Sequence, residues 1–372
     1  MKRLNNFRVY FLLAVLLVAG IVVILREHGP SFLRPGLRLC AYVLTDDGDV
    51  TVVDLIRLAV SARVPVGPAL SGLVEHPTRA EIWGVSTAGG YAWVLDAKSN
   101  QVAARIPVGA SPYAVSFSPD GRRAYVTAAA GESLVVVDCA SRQVLARTHI
   151  PGEPVLVRAT PDGKSLLVLN GREGKLDVYD AASLAPREAI PVVPRPGQIA
   201  VLPDSSLAFI ASRESRLLSV VDLRRGVLLA NLELAGIPTD LLLKPDGGEL
   251  YVLSPGAHGL QAINTWTHEV GDYVLLGSAP TRGILSGDAS LLYVSDTAAG
   301  RVAPVDIANR RVSRPVQAGQ NPTVCRFDPG ENLLLVVNEG SDDLAVIRVR
   351  TNSLLTLIPV GSHPRELAVK LF

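Results

Sequence analysis

Two positions of a 42-residue period carry polar and charged side chains that could bind a ligand. Guanidinium groups pair with carboxylate and phosphate groups. In one interpretation, a funnel that binds an anion or a peptide is therefore formed by Arg158, Arg282, Arg326 and Gln198. In the other, Asp240 and Arg282, one period apart, neutralise each other in a wet channel, and the sequence favours this second interpretation. The candidates are Arg158, Gln198, Asp240, Arg282, Arg326 and Glu366.

Signatures of other chemistry are absent from the sequence. There is no Cys-x-x-Cys-His, no phosphate-binding Gly-x-x-x-x-Gly-Lys-Ser/Thr loop, no His-Glu-x-x-His and no Gly-x-Ser-x-Gly. The histidines within the repeats fall at different positions of the period, which does not favour convergence on a metal ion. We therefore predict no catalytic residue, no metal site and no bound cofactor.

The elements that position the candidates come from the repeat itself. Proline marks the period at Pro112, Pro154, Pro196, Pro238, Pro280, Pro322 and Pro364. Aspartate marks it at Asp54, Asp96, Asp138, Asp180, Asp222 and Asp306. A period of this length indicates one supersecondary unit stacked many times. Because the aspartates all hold one place in the unit, we interpret them as caps of a turn rather than as a ring of ligands.

Residues 110–151 show what the unit is. Four short runs rich in β-forming residues, at 113–118, 123–127, 133–138 and 143–150, predict strands that we call a, b, c and d. Pro119-Asp120-Gly121 is a turn signal between a and b. No helical period is sustained, so the unit reads as an antiparallel meander. Four strands per repeat is typical of a propeller blade, and the fold class is all-β.

The same unit resembles the YVTN β-propeller repeat family. The residues that carry the resemblance are Ser-Pro-Asp-Gly at 118–121, Ala-Tyr-Val-Thr at 124–127 and Val-Val-Asp at 136–138. The resemblance covers about nine tenths of the chain. It implies the fold and says little about activity, because one fold serves many functions.

The number of blades follows from the two ends of the repeat region. Residues 37–372 make up eight periods, with seven complete units between 70 and 363. Three strands precede them without a strand a, at 39–44, 50–55 and 60–66, and one strand follows, at 366–372. We predict that the last strand joins the first three as an eighth blade. The alternative, which the family resemblance favours, is seven blades with the first three strands attached irregularly.

The amino terminus predicts a membrane anchor. Residues 1–8 are basic, 9–25 contain no charge, and 26–36 form a linker containing Pro and Gly. The uncharged run would span roughly 25 Å as a helix, the short end of a transmembrane segment. We predict an uncleaved signal anchor at 9–25 with the propeller outside the cytoplasm, in the periplasm; cleavage near residues 18–20 is the alternative.

Charge and cysteine content exclude some classes of function. The net charge of the chain is +1 and its basic excess lies in the first 36 residues, so the repeats are slightly acidic and no nucleic-acid partner is expected. The three cysteines lie in different repeats at different positions, which predicts no disulfide framework.

These observations lead to a non-catalytic binding or assembly scaffold at the inner membrane. The expected partner is a protein or a small anionic ligand, held in the channel or on the face that carries the b–c loops. The alternative is a lactonase-like, quinoprotein-like or haem d1-like propeller. The haem d1-like form would need histidines at the channel mouth, where the sequence offers only His76 and His363.

Overall fold

The computed structural model describes residues 37–372. Its compact domain Leu39–Phe372 consists of eight antiparallel sheets, which we number as blades 1 to 8 in chain order. The first four blades contain β1 (Leu39–Leu44), β2 (Asp49–Asp54), β3 (Ala59–Pro65); β4 (Leu70–Glu75), β5 (Glu81–Ser86), β6 (Tyr91–Asp96), β7 (Gln101–Pro107); β8 (Pro112–Phe117), β9 (Arg123–Ala128), β10 (Ser133–Asp138), β11 (Val144–His149); and β12 (Pro154–Ala159), β13 (Ser165–Asn170), β14 (Lys175–Asp180), β15 (Pro186–Pro191).

The other four blades repeat this pattern. They contain β16 (Pro196–Val201), β17 (Leu207–Ser212), β18 (Leu217–Asp222), β19 (Val227–Glu233); β20 (Asp240–Leu243), β21 (Glu249–Ser254), β22 (Gly259–Asn264), β23 (Val270–Leu275); β24 (Pro280–Leu285), β25 (Leu291–Asp296), β26 (Arg301–Asp306), β27 (Arg311–Val312), β28 (Val316–Gln317); and β29 (Pro322–Phe327), β30 (Leu333–Asn338), β31 (Asp343–Arg348), β32 (Ser353–Pro359). In blade 7 the outer strand is broken into β27 and β28, with Pro315 between them. Proline has no N–H to donate to a ladder, which suits it to this edge position.

The prediction of an eighth blade closed by the last strand is confirmed. Strand β33 (Glu366–Leu371) is the innermost strand of the first sheet, whose order is β3-β2-β1-β33. It pairs with β1 in antiparallel register from Leu39 opposite Leu371 to Leu44 opposite Glu366. The two ends of the repeat region are therefore hydrogen-bonded to each other, and every blade has a neighbour on both sides.

The hydrophobic cores lie between blades. Eight buried clusters are present in the described chain, and each combines residues of two adjacent blades, including blades 8 and 1. One position of strand b supplies a large side chain in most blades, and those that are almost fully buried are Trp83, Tyr125, Phe209, Tyr251 and Tyr293. Consecutive apolar residues in strands b and c are explained in this way, because both faces of each sheet are covered.

The repeating aspartates cap the turn after strand c. In blade 3, the Asp138 carboxylate accepts hydrogen bonds from the backbone N–H groups of Ala140 and Ser141, at 3.0 and 2.7 Å. The same contacts recur at Asp180, where they hold the pKa of the carboxyl at about 2. These acids are therefore part of the architecture and not a ligand site.

The predicted anchor at 9–25 lies outside the described residues, as do the basic segment 1–8 and the linker 26–36. Within residues 37–372, none of the helical structure is long and apolar enough to cross a membrane. The short 3₁₀ turn at Pro255–Ala257 lies in a b–c loop.

Deleting residues 364–372 tests the closure of the ring. The truncated chain would expose the inner edge of β1 and remove Leu367 and Val369 from the core between blades 8 and 1. We expect a lower unfolding midpoint and a broader transition in urea, measured by circular dichroism, because a closed ring unfolds cooperatively. A synthetic peptide of residues 364–372 should partly restore the midpoint. An unchanged midpoint and slope in the truncated protein would contradict closure by this strand.

Candidate ligand-binding channel

Alternation along strand a sorts the side chains that face the channel from those that pack between blades. In β12, Val157 is buried in the core between blades 3 and 4, while the next residue, Arg158, is exposed. Successive side chains of a strand point to opposite sides, so every inner strand divides in this way. The equivalents of Val157 that pack in the inter-blade cores are Leu73, Val115, Ile199, Leu241, Cys325 and Leu367.

All six residues predicted from the sequence border the central channel. One cavity of about 520 Å³ is lined by Arg158, Gln198, Asp240 and Arg282, among others. A second cavity, of about 400 Å³, shares Asp240 and Arg282 and adds Arg326 and Glu366. Volumes of this size match those of small-molecule sites. The positions of these residues in the 42-residue period therefore indicated which side chains lie near one another in the structure.

The two acids of the channel bind the backbone of the next blade. Asp240 accepts a hydrogen bond from the N–H of Gly283 at 3.0 Å. Glu366, at the equivalent position of blade 1, accepts hydrogen bonds from the N–H groups of Gly72, at 3.1 Å, and Leu73. Desolvation raises the pKa of both carboxyl groups, and the backbone donors and the channel arginines oppose this effect. Both acids therefore serve to join inner strands.

The predicted pairing of Asp240 with Arg282 is present. The Arg282 Nη1 atom lies 3.6 Å from the Asp240 Oδ1 atom and donates a hydrogen bond to the carbonyl of Thr239 at 3.3 Å. The side chain of Gln198 also donates to the carbonyl of Thr239. Half of the Arg282 side chain nevertheless stays exposed, at 49% of its free area. This arginine is thus partly neutralised and still reachable from the channel.

The other two arginines are not neutralised in this way. Arg326 donates to the carbonyl of its own neighbour Cys325 at 2.9 Å, and no carboxylate of residues 37–372 lies within ion-pair distance of it. Arg158 has neither a hydrogen bond nor an ion pair with any part of the chain that the structure describes. The surrounding protein lowers the pKa of Arg158 by desolvation, although an arginine remains charged at neutral pH. The channel therefore keeps an uncompensated positive charge.

A contact across the channel mouth was not predicted from the sequence. Arg213, in the loop between β17 and β18 of blade 5, donates from Nη2 to the hydroxyl of Tyr113 in blade 3, at 3.2 Å. Its guanidinium carbon lies 5.6 Å from the centre of the Tyr113 ring. Both residues line the cavity of about 520 Å³. The one signal for this contact in the sequence is the large side chain of Tyr113, at a position of the period that smaller residues mainly occupy.

The two histidines considered for the channel mouth do not line either of these cavities. His76 is fully buried, and its ring lies 4.8 Å from that of Phe117. His363 is exposed in the loop that precedes β33. Among the described residues, no group of three or more His, Cys, Asp or Glu side chains could hold a metal ion.

Comparison with known proteins settles the family. The model of the YNCE-like beta-propeller family matches residues 86–290, more than half of the chain. The chain belongs to the YNCE-like beta-propeller family. The resemblance to YVTN-type repeats is thereby confirmed, and no curated protein matches this YNCE-like propeller.

Solved structures share the fold of this YNCE-like propeller. "Dihydro-heme d1 dehydrogenase NirN in complex with DHE" superposes with a TM-score of 0.78 at 17% identity, over 91% of this chain and 76% of NirN. Kuenenia stuttgartiensis hydrazine synthase has a TM-score of 0.61 at 19% identity, over 76% and 96% of the two chains. A functionally unknown protein from Desulfotomaculum acetoxidans DSM 771 has a TM-score of 0.60 at 16% identity, over 80% and 99%. At these identities the similarity shows the fold alone.

His76 provides a test of the packing next to the inner strands. Its Nδ1 atom accepts hydrogen bonds from the N–H groups of Thr78 and Arg79, at 3.2 and 3.0 Å, so the proton of the neutral ring is on the buried Nε2 atom. Burial lowers the pKa of His76. Below about pH 6.5 the unfolded chain takes up a proton on this ring before the folded protein does, so stability falls as the pH falls.

We expect the free energy of unfolding to drop more for the natural protein than for His76→Asn between about pH 7.5 and pH 5.5. Asparagine keeps an acceptor for the two N–H groups but does not titrate. Urea denaturation at a series of pH values measures both curves. Parallel curves would show that His76 is not held neutral by its surroundings.

Proposed function

We propose that this protein is a membrane-anchored, extracytoplasmic binding scaffold that holds a small anionic ligand in the channel of its propeller. The observation that carries the proposal is Arg158, a guanidinium on the wall of a cavity of about 520 Å³ with no partner among the described residues. The surrounding protein desolvates this guanidinium, and none of residues 37–372 supplies a group to pair with it. A ligand that supplies the missing negative charge accounts for it.

The balance of charge supports an anion rather than a cation. Arginines 158, 282 and 326 and Arg213 at the mouth face two acids, and both acids already accept hydrogen bonds from backbone N–H groups. Within a ring of protein the effective dielectric constant is lower than in bulk water, so the residual positive charge acts more strongly on a bound ion. Guanidinium favours carboxylate, phosphate or sulfonate groups, which can accept two parallel hydrogen bonds.

A binding role without catalysis is the simplest use of this site. Catalysis by a carboxylate would need a group free to accept a proton from the substrate. Asp240 and Glu366, the acids among the described residues that line these two cavities, instead join neighbouring inner strands. The proposed scaffold therefore binds and presents its ligand, or uses it as part of an assembly with a partner protein on the face of the b–c loops.

Anchoring to the inner membrane is part of the proposal and is supported by the sequence. Residues 9–25 carry no charge and follow the basic residues Lys2, Arg3 and Arg8. Basic flanks stay in the cytoplasm, so the propeller would lie on the periplasmic side.

A second candidate is a cofactor protein of the haem d1 kind, favoured by the similarity to NirN over 91% of this chain. The residues fit this group only in part. The arginines would suit acid groups on a tetrapyrrole, but no histidine is among the described residues lining these two cavities to serve as an axial ligand of iron. An absorption spectrum of the purified protein separates the candidates, since a visible chromophore would favour the cofactor protein.

Substitution of Arg158 tests the proposed function. We expect Arg158→Gln to weaken binding of benzoate or inorganic phosphate, measured by calorimetric titration, by about 10- to 100-fold. One charge-assisted hydrogen-bonding group contributes about 1.5–3 kcal/mol, and each 1.4 kcal/mol is roughly tenfold in affinity. Arg216→Gln is the matched control, since Arg216 pairs with Glu233 at the surface. Equal affinity in Arg158→Gln and the natural protein, or no anion binding by either, would contradict the proposal.

A further inference from the structure

The contact between Tyr113 and Arg213 joins two blades that are not neighbours. Tyr113 belongs to the inner strand of blade 3 and Arg213 to a loop of blade 5, so the contact joins two blades that have blade 4 between them. Hydrogen bonds between equivalent inner strands join adjacent blades, as the bond from the Gly283 N–H to the Asp240 carboxylate does. The Tyr113–Arg213 contact instead spans one side of the channel mouth.

Gly197 makes room for this path. A Cβ atom at position 197 would lie 2.1 Å from the Nε atom of Arg213 and 2.3 Å from its Cγ atom. Gly197 is not among the glycines with a left-handed backbone, so its lack of a side chain serves the neighbouring arginine and not the chain conformation. The side chain of Arg213 is thus held against the cavity wall by the shape of the inner strand.

The hydrogen-bonding groups at the mouth are not saturated. Among residues 37–372, Arg213 forms no ion pair with a carboxylate, and its bond is to the neutral hydroxyl of Tyr113. That hydroxyl accepts from Arg213 and has no acceptor for its own proton in the described chain. A guanidinium and a hydroxyl donor therefore sit side by side, an arrangement that can hold one carboxylate.

Two separate positive sites thus border one cavity. Arg158 lies on the inner strand of blade 4, and Arg213 lies at the mouth beside the exposed ring of Tyr113. Gln198, which also lines this cavity, already donates a hydrogen bond to the carbonyl of Thr239. A ligand whose single acid group binds one of the two arginines would leave the other without a negatively charged partner.

We propose that the ligand of this channel is a rigid dianion with a planar, aromatic body. One acid group binds Arg158, the other binds Arg213 and the hydroxyl of Tyr113, and the body lies along the ring of Tyr113. Offset or edge contacts between aromatic rings contribute to binding beyond the buried area. This proposal rests on the proposed function and adds the number of acid groups, the nature of the body and the residues that select it.

Titration of the full chain with matched probes tests the proposal. The probes are benzoate, with one acid group, and terephthalate and biphenyl-4,4′-dicarboxylate, with two acid groups on rigid aromatic bodies of increasing length. We expect at least one of the dicarboxylates to bind about tenfold or more tightly than benzoate, since a second charge-assisted contact is made. Arg158→Gln should weaken both classes of probe.

Two variants separate the mouth from the deeper site. Arg213→Gln should remove the advantage of the dicarboxylate while leaving benzoate affinity within about twofold. Gly197→Ala should have the same effect by displacing Arg213, because the added methyl group occupies its place. Arg216→Gln, three residues from Arg213 in the same loop, is the control and should change neither affinity. Unchanged melting temperatures confirm that the variants are folded.

The outcomes distinguish this inference from the proposed function. If benzoate binds and depends on Arg158, but neither dicarboxylate binds more tightly, the dianion proposal fails and the anion-binding channel stands. If the dicarboxylate advantage survives both Arg213→Gln and Gly197→Ala, the mouth residues do not select the ligand and the proposal is wrong. If no probe binds at all, the proposed function and the inference fail together.

Discussion

The pairing of the last strand with the first is the interaction on which the rest of this structure depends. Six residue pairs between β33 and β1 join the two ends of the repeat region, which are more than 320 residues apart in sequence. A single blade exposes both faces of its sheet, and only a closed ring gives each face a partner. The eight inter-blade cores follow from that closure, and so does the channel, since eight inner strands surround a space that no open array would enclose.

Closure of the ring also determines which charged side chains of the channel have partners. Glu366 belongs to the closing strand and binds the backbone of blade 2, and Asp240 forms the equivalent bond between blades 6 and 7. Acids that could have neutralised the arginines are thus committed in part to holding inner strands together. Arg158 keeps its charge without a partner in the described chain, and Arg213 has only a neutral one. The excess of positive charge in the channel follows from this use of the two acids, and a bound anion of suitable shape would neutralise it.

Much of this could be predicted because the period constrains it. A repeat of 42 residues fixes which positions face the core, which cap turns and which border the channel, so the eight blades, the closing strand and the six channel residues were all available from the sequence. The Tyr113–Arg213 contact was not, because its partners lie 100 residues apart at unrelated positions of the period. The burial of His76 was also missed, since it follows from packing against Phe117 of the next blade. Membrane anchoring stays a prediction, because residues 1–36 lie outside the described chain.

Protection of individual arginines from chemical modification is the most direct test of an anion site in the channel. Phenylglyoxal modifies accessible guanidinium groups, and peptide mass spectrometry reports the extent at each residue. With benzoate or an aromatic dicarboxylate bound, modification of Arg158 should slow markedly, while Arg57 and Arg122, which are more than four-fifths exposed at the surface, should react at unchanged rates. If Arg158 reacts equally fast with and without saturating anion, the channel is not the site and the account is wrong.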